Sequence, residues 1–231
     1  MKPHHKFQLQ IPMHPNREAF RGKSLVFISQ PAPKWIRHDD CVWTAPAPLT
    51  QVIRLESSYS DCKNLFSDFL GVKSAGIRHV VEEFCSLSRG AWVDQADRFE
   101  ELLTLLHGYL AKGLTLDVSE TRSMNTARAF PVMKPGNLSH ESATIVLRSL
   151  DDNDWYIPDK TTLELAFRGR VNLLKLSVRS VQLMMKVWVE LGCKGLFLSS
   201  VVEEKVELGG VRIRNKSKEK ELRTRLKYLA R

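Results

Sequence analysis

The chain has 231 residues, of which 43% are apolar and 26% are charged. This composition is typical of a globular protein with a substantial core, and it excludes wholesale disorder and a membrane-embedded protein. No apolar run approaches the roughly 20 residues that a membrane-spanning helix needs, so we expect no transmembrane segment.

The positive charge is concentrated near the C-terminus. The net charge is +9, and residues 212–231 contribute +7 of it, since nine basic residues there face only two glutamates. We expect a basic C-terminal helix over 212–231, with Leu222, Leu226 and Leu229 as a narrow apolar stripe. The residues predicted to contact an anionic partner are Arg212, Arg214, Lys216, Lys218, Lys220, Arg223, Arg225 and Lys227.

Residues 1–23 are rich in Pro, His and basic residues and have no hydrophobic periodicity, which predicts a flexible arm. The same residues interrupt the apolar core that a signal peptide would need. His4, His5 and His14 have no carboxylate or cysteine at ligand spacing, so no metal site is predicted. The four cysteines of the chain form no CxxC pair, which favours reduced thiols in an intracellular protein, either cytoplasmic or nuclear.

Residues 24–113 are predicted to form a strand-plus-helical subdomain. Two short apolar runs are typical of strands, Leu25–Ile28 and Cys41–Trp43. Apolar residues then recur at helical spacing in three stretches, Tyr59–Leu70, Ile77–Leu87 and Val93–Ala111. Gly71 and Gly113 follow the first and third stretches, where a residue with positive φ commonly ends a helix. The sequence therefore predicts an N-terminal layer of about three helices.

Residues 114–211 are predicted to form a mixed α/β subdomain. Helical periodicity fades after residue 113, and Ala129–Met133 and Thr144–Leu150 resemble strands. The sequence DDND at 151–154 predicts a solvated turn, because a calcium loop needs alternating ligands, a central glycine and a distant glutamate. Ser200–Leu208 alternates in part, which predicts an edge strand.

The stretch from 155 to 191 predicts β-α-β-α order. A helix opens after Asp159, with this carboxylate as its N-cap, and breaks at Gly169. Residues 171–176 are apolar enough for a buried strand, and Ser177 then caps a second helix of about four turns. The core candidates of this stretch are Trp155, Ile157, Leu163, Phe167, Leu173, Leu176, Leu183 and Trp188. Together these elements predict an α+β fold, in which the helical layer precedes a small mixed sheet with helices and the basic C-terminal helix.

Sequence motifs for cofactor binding are missing. Neither GxxxxGK[ST] nor GxGxxG occurs in the chain, so the β-α-β order does not predict a nucleotide site and we expect no cofactor. His38, Asp39, Asp40 and Cys41 are adjacent, but neighbouring strand residues point to opposite faces, which favours a turn over a converged site.

Two sets of side chains are candidates for catalysis. They are Cys41 with His38 and Asp39, and His107 with Tyr109. Neither set has a nucleophile, a base and an orienting group at a spacing from which catalysis can be inferred. The sequence therefore leans against an enzyme.

Four motifs rich in packing residues follow one another along the chain. They are W-x-x-x-x-x-C-V-W (35–43), Y-x-x-x-x-x-L-F-x-x-x-L-G-V (59–72), W-Y-I-P-D (155–159) and F-R-G-R-V-x-L-L (167–174). This order resembles an internal region of very large fungal proteins described as sacsin-like or NO VEIN-like, over roughly residues 24–231. The activity of that family resides in a histidine-kinase-type ATPase module, whose nucleotide-binding motifs do not occur here. The resemblance therefore implies a shortened relative or a fragment without the catalytic part, and it assigns no functional residue.

Three functions follow from these observations. The first is a non-catalytic interaction module that binds a protein partner or associates with itself through an apolar surface. The second is binding of nucleic acid, an anionic surface or an acidic partner through the basic tail. The third is an accessory protein or enzyme of a fungal metabolic pathway.

Overall fold

The structure is a computed structural model. It describes residues 20, 22–29, 32–89, 96–136, 144–203 and 218. The chain divides into one compact unit of residues 1–201 and a second of residues 202–231, and all elements named below lie in the first. The predicted arm at 1–23 and the predicted helix at 212–231 lie outside the described residues, apart from Phe20, Gly22, Lys23 and Lys218.

The described part of the chain is mixed α/β, with several helices and small sheets of two or three strands, in agreement with the predicted class. The strands are β1 (Val26–Ile28), β2 (Lys34–Ile36), β3 (Cys41–Val42), β4 (Ile53–Arg54), β5 (Phe130–Met133), β6 (Ile145–Arg148) and β7 (Leu173–Leu174). The α-helices are α1 (Ile77–Ser86), α2 (Ala96–Ala111), α3 (Val118–Thr126), α4 (Thr161–Phe167), α5 (Val178–Leu183), α6 (Met185–Glu190) and α7 (Leu198–Val201).

The first four strands enclose a small group of buried side chains. β1 and β2 form an antiparallel hairpin, and β3 pairs with β4 in parallel. Because successive strand residues point to opposite faces, Val26 and Ile28 are buried whereas Phe27 is 40% exposed. The N-terminal cluster consists of Val26, Ile28, Ile36, Cys41, Trp43, Leu55, Phe66, Leu70 and Val72.

The helix predicted over 59–70 is not a regular α-helix. A 3-10 turn at Ser60–Cys62 leads into a π-helix at Asn64–Phe69. Because π-helical hydrogen bonds span five residues rather than four, the faces differ from those of an α-helix. Leu65, one of the apolar residues at helical spacing in this stretch, is consequently 41% exposed. Gly71 ends this helix with a φ of 79°, as predicted.

α1 and α2 form where apolar spacing predicts helices, whereas α3 lies where no helix is predicted. Only Met124 of α3 is buried, so α3 lacks the apolar stripe that reveals a helix. A capping box stabilises its start instead. Asp117 Oδ1 accepts the Glu120 backbone N–H at 2.7 Å, and the Asp117 backbone N–H donates to Glu120 Oε2 at 2.9 Å.

The main core is centred on four aromatic rings from α1, α2, β5 and the segment after β6. Phe84, Phe99, Phe130 and Trp155 form a chain of ring contacts with centroids 5.3 to 5.8 Å apart. Phe130 belongs to the central strand of a three-stranded antiparallel sheet with the order β6-β5-β7. An isolated parallel bridge joins Tyr156 to Leu173. The main core draws on residues before and after position 113, and the subdomain boundaries stay predictions.

The predicted β-α-β order is found in part, because the first apolar run contributes isolated bridges rather than a strand. The helix of this order has a different cap from the predicted one. α4 and β7 follow the first apolar run, and Tyr156 pairs in parallel with Leu173. The N-cap of α4 is Lys160, whose side chain makes no capping hydrogen bond. Asp159 instead accepts the backbone N–H of Ser199 at 3.0 Å, together with the Ser199 hydroxyl. Local spacing could not reveal this contact, because the two residues are 40 positions apart.

The second helix of this stretch begins as predicted and then breaks. The Ser177 hydroxyl accepts the Ser180 backbone N–H at 3.0 Å, which caps α5. Met184 departs from helical geometry (φ −97°, ψ 23°) and separates α5 from α6. Leu183 at this break is 65% exposed, so its place in the predicted core was wrong, whereas Trp188 is fully buried. Leu163 and Phe167 are half-buried, and the other core candidates are buried.

The prediction of an edge strand that begins at Ser200 is wrong for its first two residues. Ser200 and Val201 belong to α7, which begins at the buried Leu198. A helix forms here because Asp159 accepts the Ser199 N–H, one of the backbone donors that a helix leaves free at its start. Residues 204–208 lie outside the described residues.

Candidate functional site

The first predicted catalytic set does not contain an activated nucleophile. The Cys41 thiol donates a hydrogen bond to the Arg37 carbonyl at 3.2 Å rather than to His38. Burial, followed by the nearby charges of Asp40 and Asp39, raises the pKa of the Cys41 thiol to about 11. His38 Nε2 lies 3.1 Å from Asp39 Oδ1 within a 3-10 turn, which confirms the predicted turn. A thiol held protonated in this way is a poor nucleophile at neutral pH.

The side chains of the second predicted catalytic set, His107 and Tyr109, point in different directions. His107 and Tyr109 both lie on α2, but side chains two residues apart on a helix do not face each other. The Tyr109 hydroxyl donates to the Ala75 carbonyl at 2.8 Å, and burial raises the pKa of Tyr109. The buried His107 Nδ1 has no hydrogen-bond partner among the described residues.

The described residues contain no group of three or more His, Cys, Asp or Glu side chains placed to hold a metal ion. The DDND segment is a turn, as predicted, because a 3-10 helix at Leu150–Asp152 ends at Asn153 with a positive φ of 50°. None of the helices in the described ranges has the length and hydropathy to cross a membrane.

The predicted anion-binding residues lie between 212 and 227. Of these eight side chains, Lys218 alone belongs to the described residues, and it is exposed. The binding of an anionic partner by this segment therefore stays a prediction.

A groove of about 690 Å³ lies along the α2 helix. Its lining comprises Pro46 and Pro48 from the facing loop, with Asp97, Glu100, Glu101, Thr104, Leu105, Gly108, Tyr109 and Lys112. The lining residues between positions 97 and 112 follow one another at helical intervals of three and four residues, so their side chains lie on one face of the helix. The three carboxylates occupy its N-terminal half, apolar surface follows, and a lysine lies at the far end.

The main core fixes the helix that carries this groove. Phe99, Leu103, Leu106 and Leu110 are at most 1% exposed and cover the opposite side of α2. Lys186 donates to the Leu110 carbonyl at the end of α2, where a cation stabilises the helix dipole. The groove is therefore one face of a rigid helix.

An ion pair with a buried carboxylate joins the two walls of the groove. Glu83 on α1 is 1% exposed and accepts a hydrogen bond from Arg98 on α2. Glu83 also accepts the Thr50 hydroxyl at 2.7 Å and the Gln51 backbone N–H at 2.9 Å. The loop that carries Pro48 leads directly into Thr50. The Glu83 carboxylate therefore fixes the position of the loop wall relative to the α2 wall.

A family model described as a domain of unknown function, DUF8348, matches residues 78–202, which are 125 of the 231 residues. The chain belongs to the DUF8348 family. The matched segment begins at the second residue of α1 and contains α2 to α7 and the three-stranded sheet. The α2 wall of the groove thus lies inside the DUF8348 segment, and the wall with Pro46 and Pro48 lies before it. Comparisons with curated proteins and with solved structures returned no match.

The sequence predicted α2 of this DUF8348 protein but not its groove. Apolar spacing identifies the buried face of the helix, and the acidic residues opposite resemble an ordinary solvated surface. One signal was present: Leu105 and Tyr109 continue the line of Asp97 and Glu101 at four-residue intervals, away from the buried stripe. The prolines of the second wall are about 50 residues distant in sequence, so spacing within α2 could not reveal them.

Proposed function

We propose that this DUF8348 protein is a non-catalytic interaction module whose protein partner binds in the α2 groove. The observation that carries the proposal is the order of groups along one rigid helix face, which is acidic, then apolar, then basic. A row of three carboxylates beside Leu105 and Tyr109 matches a segment with basic residues followed by apolar anchors. We infer that the partner contributes a basic amphipathic helix.

The charge of the groove supports this choice of partner. Asp97, Glu100 and Glu101 line the groove, and among the described lining residues only the positive charge of Lys112 offsets their negative charge. The chain as a whole carries +9. An acidic groove on a basic protein attracts cationic segments and repels anionic ones, which favours selectivity. Glu100 also accepts the Ser180 hydroxyl at 2.5 Å, so α5 restrains the position of this carboxylate.

A synthetic helical peptide of lysines with leucines at i, i+4 and i+7 tests the proposal. We expect the fluorescence anisotropy of the labelled peptide to rise with added full-length protein and to fall as salt screens the contacts. The matched peptide with glutamate in place of lysine should not bind. Glu101→Gln should weaken binding about fivefold, which corresponds to roughly 1 kcal/mol.

Glu82→Gln is the matched control, because Glu82 is exposed on α1, pairs with Arg78 and does not line the groove. Equal binding of the two peptides, or equal losses for the two variants, would contradict the proposal.

A second proposal concerns the basic segment 212–231, and it is carried by its charge of +7. Nucleic acid, an anionic surface or an acidic protein is the partner that this charge favours, in a cytoplasmic or nuclear protein. Replacing Lys216, Lys218, Arg223 and Arg225 by glutamine in the full chain should abolish retention on heparin and on duplex DNA at low salt. Unchanged retention would remove this proposal.

The likeness to sacsin-like and NO VEIN-like proteins also stands as a proposal. It is supported by four motifs of packing residues and implies a shortened relative or fragment of a larger fungal protein. An accessory or enzymatic role in a fungal metabolic pathway is the remaining alternative. Cys41 is the side chain through which to test it, since a pathway activity lost in Cys41→Ser with an intact fold would favour the enzyme.

A further inference from the structure

A second cavity, of about 880 Å³, lies between the β1–β2 hairpin and the segment 47–58. It differs from the α2 groove in charge and in polarity. Lys34 and Arg54 are its charged lining residues, and no carboxylate in the described part of the chain lines it. The hydroxyls of Ser29, Ser57 and Ser58 and the side-chain amide of Gln51 add neutral polar groups. The cavity is thus cationic and able to donate and accept hydrogen bonds.

Arg54 is held in position without a counter-ion. One terminal nitrogen of its guanidinium donates to the carbonyls of Pro46, Ala47 and Leu49, at 3.1, 3.3 and 2.7 Å. Its Nε is buried and has no hydrogen-bond partner in the described residues. No ion pair to Arg54 or Lys34 occurs within those residues either. A half-buried arginine without a carboxylate leaves a positive charge that an incoming anion would neutralise.

The carboxylate that is hydrogen-bonded to the cavity lining is already neutralised. Glu83 lies behind Thr50 and Gln51 and accepts hydrogen bonds from both, but it is 1% exposed and paired with Arg98. Its carboxylate therefore does not face the cavity as a free negative charge. The Thr50 hydroxyl is also occupied, since it donates to Glu83 and accepts from Arg98 at 2.9 Å.

We infer that this cavity binds a small phosphorylated polyol, such as a sugar phosphate, through Lys34 and Arg54. A guanidinium and an ammonium together suit a phosphate monoester, and the serine hydroxyls and Gln51 suit the hydroxyls of a sugar. The volume is within the range of small-molecule sites. No aromatic ring lines the cavity in the described residues, so a nucleobase has no stacking surface there. This site goes beyond the proposed interaction function.

Isothermal titration calorimetry of the full chain with glucose 6-phosphate, glucose and inorganic phosphate tests the inference. We expect glucose 6-phosphate to bind, and each of the other two probes to bind at least about tenfold more weakly, because each satisfies only part of the site. Inorganic phosphate that binds as tightly as the sugar phosphate would overturn the role of the hydroxyls. Absence of binding by all three probes would overturn the site.

Two substitutions localise the binding. Lys34→Gln should weaken glucose 6-phosphate binding about tenfold, because it removes one charge-assisted contact from an exposed side chain. Arg54→Lys keeps the charge but loses the guanidinium that the Pro46, Ala47 and Leu49 carbonyls hold in place, and should weaken binding by a similar factor. Lys160→Gln, an exposed lysine outside the cavity, is the control. If Lys34→Gln binds like the control, the inference fails, whether or not Arg54→Lys remains folded.

Discussion

The main core and the N-terminal cluster are stabilised in different ways. The main core buries long helices against a sheet, and its rings from four elements touch one another. The N-terminal cluster is bounded by strands of two or three residues, a 3-10 turn and a π-helix. Helix hydrogen bonds are local, whereas each of these short strands depends on a partner from another segment. We therefore expect side chains of the main core to contribute more to stability than those of the N-terminal cluster.

The family match follows the same division. Residues 78–202 contain the helices and the sheet around the main core, and every member of the N-terminal cluster precedes residue 78. The α2 wall of the groove belongs to the first region, whereas the lining of the cationic cavity belongs to the second. Experiments on the two proposed sites therefore test different parts of the molecule.

Two tryptophan substitutions give the largest expected effects. Trp155→Ala should lower the free energy of unfolding by about 5 kcal/mol, and Trp43→Ala in the N-terminal cluster by about 3 kcal/mol. Trp155 is fully buried, contacts Phe130 and donates from its indole to the Ser149 carbonyl at 2.9 Å. Trp43 is 6% exposed and stacks on Phe66 alone among the described rings. Urea denaturation followed by circular dichroism measures both.

Trp35→Ala is the control for this pair, because Trp35 is 62% exposed. We expect its unfolding free energy to change by less than about 0.5 kcal/mol. An equal loss for Trp43→Ala and Trp155→Ala would remove the distinction between the two regions.

The buried carboxylate that joins the groove walls gives the next effect. Glu83→Ala should cost about 3 kcal/mol in unfolding free energy, because it leaves Arg98, Thr50 and the Gln51 N–H without their shared acceptor. Glu82→Ala, at the next position of α1, removes an exposed pair with Arg78 and should cost less than about 0.5 kcal/mol. Similar values for the two variants would show that Glu83 does not hold the loop.

The long-range cap by Asp159 is expected to contribute less. Asp159→Ala should lower the unfolding free energy by about 1 kcal/mol, because the Ser199 N–H loses its acceptor. Lys160→Ala alters the residue at the N-cap of α4, which makes no side-chain cap, and should leave the stability unchanged. A loss for Lys160→Ala as large as that for Asp159→Ala would contradict the contribution assigned to the Asp159–Ser199 contact.

The smallest effect concerns two buried thiols. Burial raises the pKa of Cys193 to about 12, and that of Cys41 to about 11. Folding thus favours their protonated forms, so this stabilisation is complete below the pKa of an unfolded thiol, about 8.5, and is lost as the pH rises through the folded values. At pH 8, iodoacetamide should modify the partly exposed Cys62 faster than Cys41 or Cys193, as peptide mass spectrometry would show. Equal rates in the folded protein would contradict this.

The sequence predicts elements whose signals are local. The apolar stripes of α1 and α2, the cap at Ser177 and the positive φ at Gly71 and Gly113 all depend on a few neighbouring residues. The π-helix and the break at Met184 were missed because the same apolar spacing is compatible with a regular helix. The polar α3 was missed because its capping box, rather than a stripe, marks its start.

The candidate sites could not be predicted in this way, because each combines segments that are distant in the sequence. The groove brings Pro46 and Pro48 to α2, and the cavity brings Lys34 to Arg54 and Ser57. Charge and residue type at these positions are visible in the sequence, but their proximity depends on the packing of the whole unit.

The central claim is that a basic partner binds in the α2 groove. Reversing the preference of the groove between two peptides tests this claim most directly. The double variant Asp97→Lys/Glu101→Lys exchanges two negative charges of the groove for positive ones without altering the buried face of α2. Dissociation constants for the lysine-leucine and glutamate-leucine peptides should then exchange their order relative to the wild-type protein, with Glu82→Lys unchanged from wild type. If the double variant keeps the preference of the wild-type protein, the basic partner does not bind in the α2 groove.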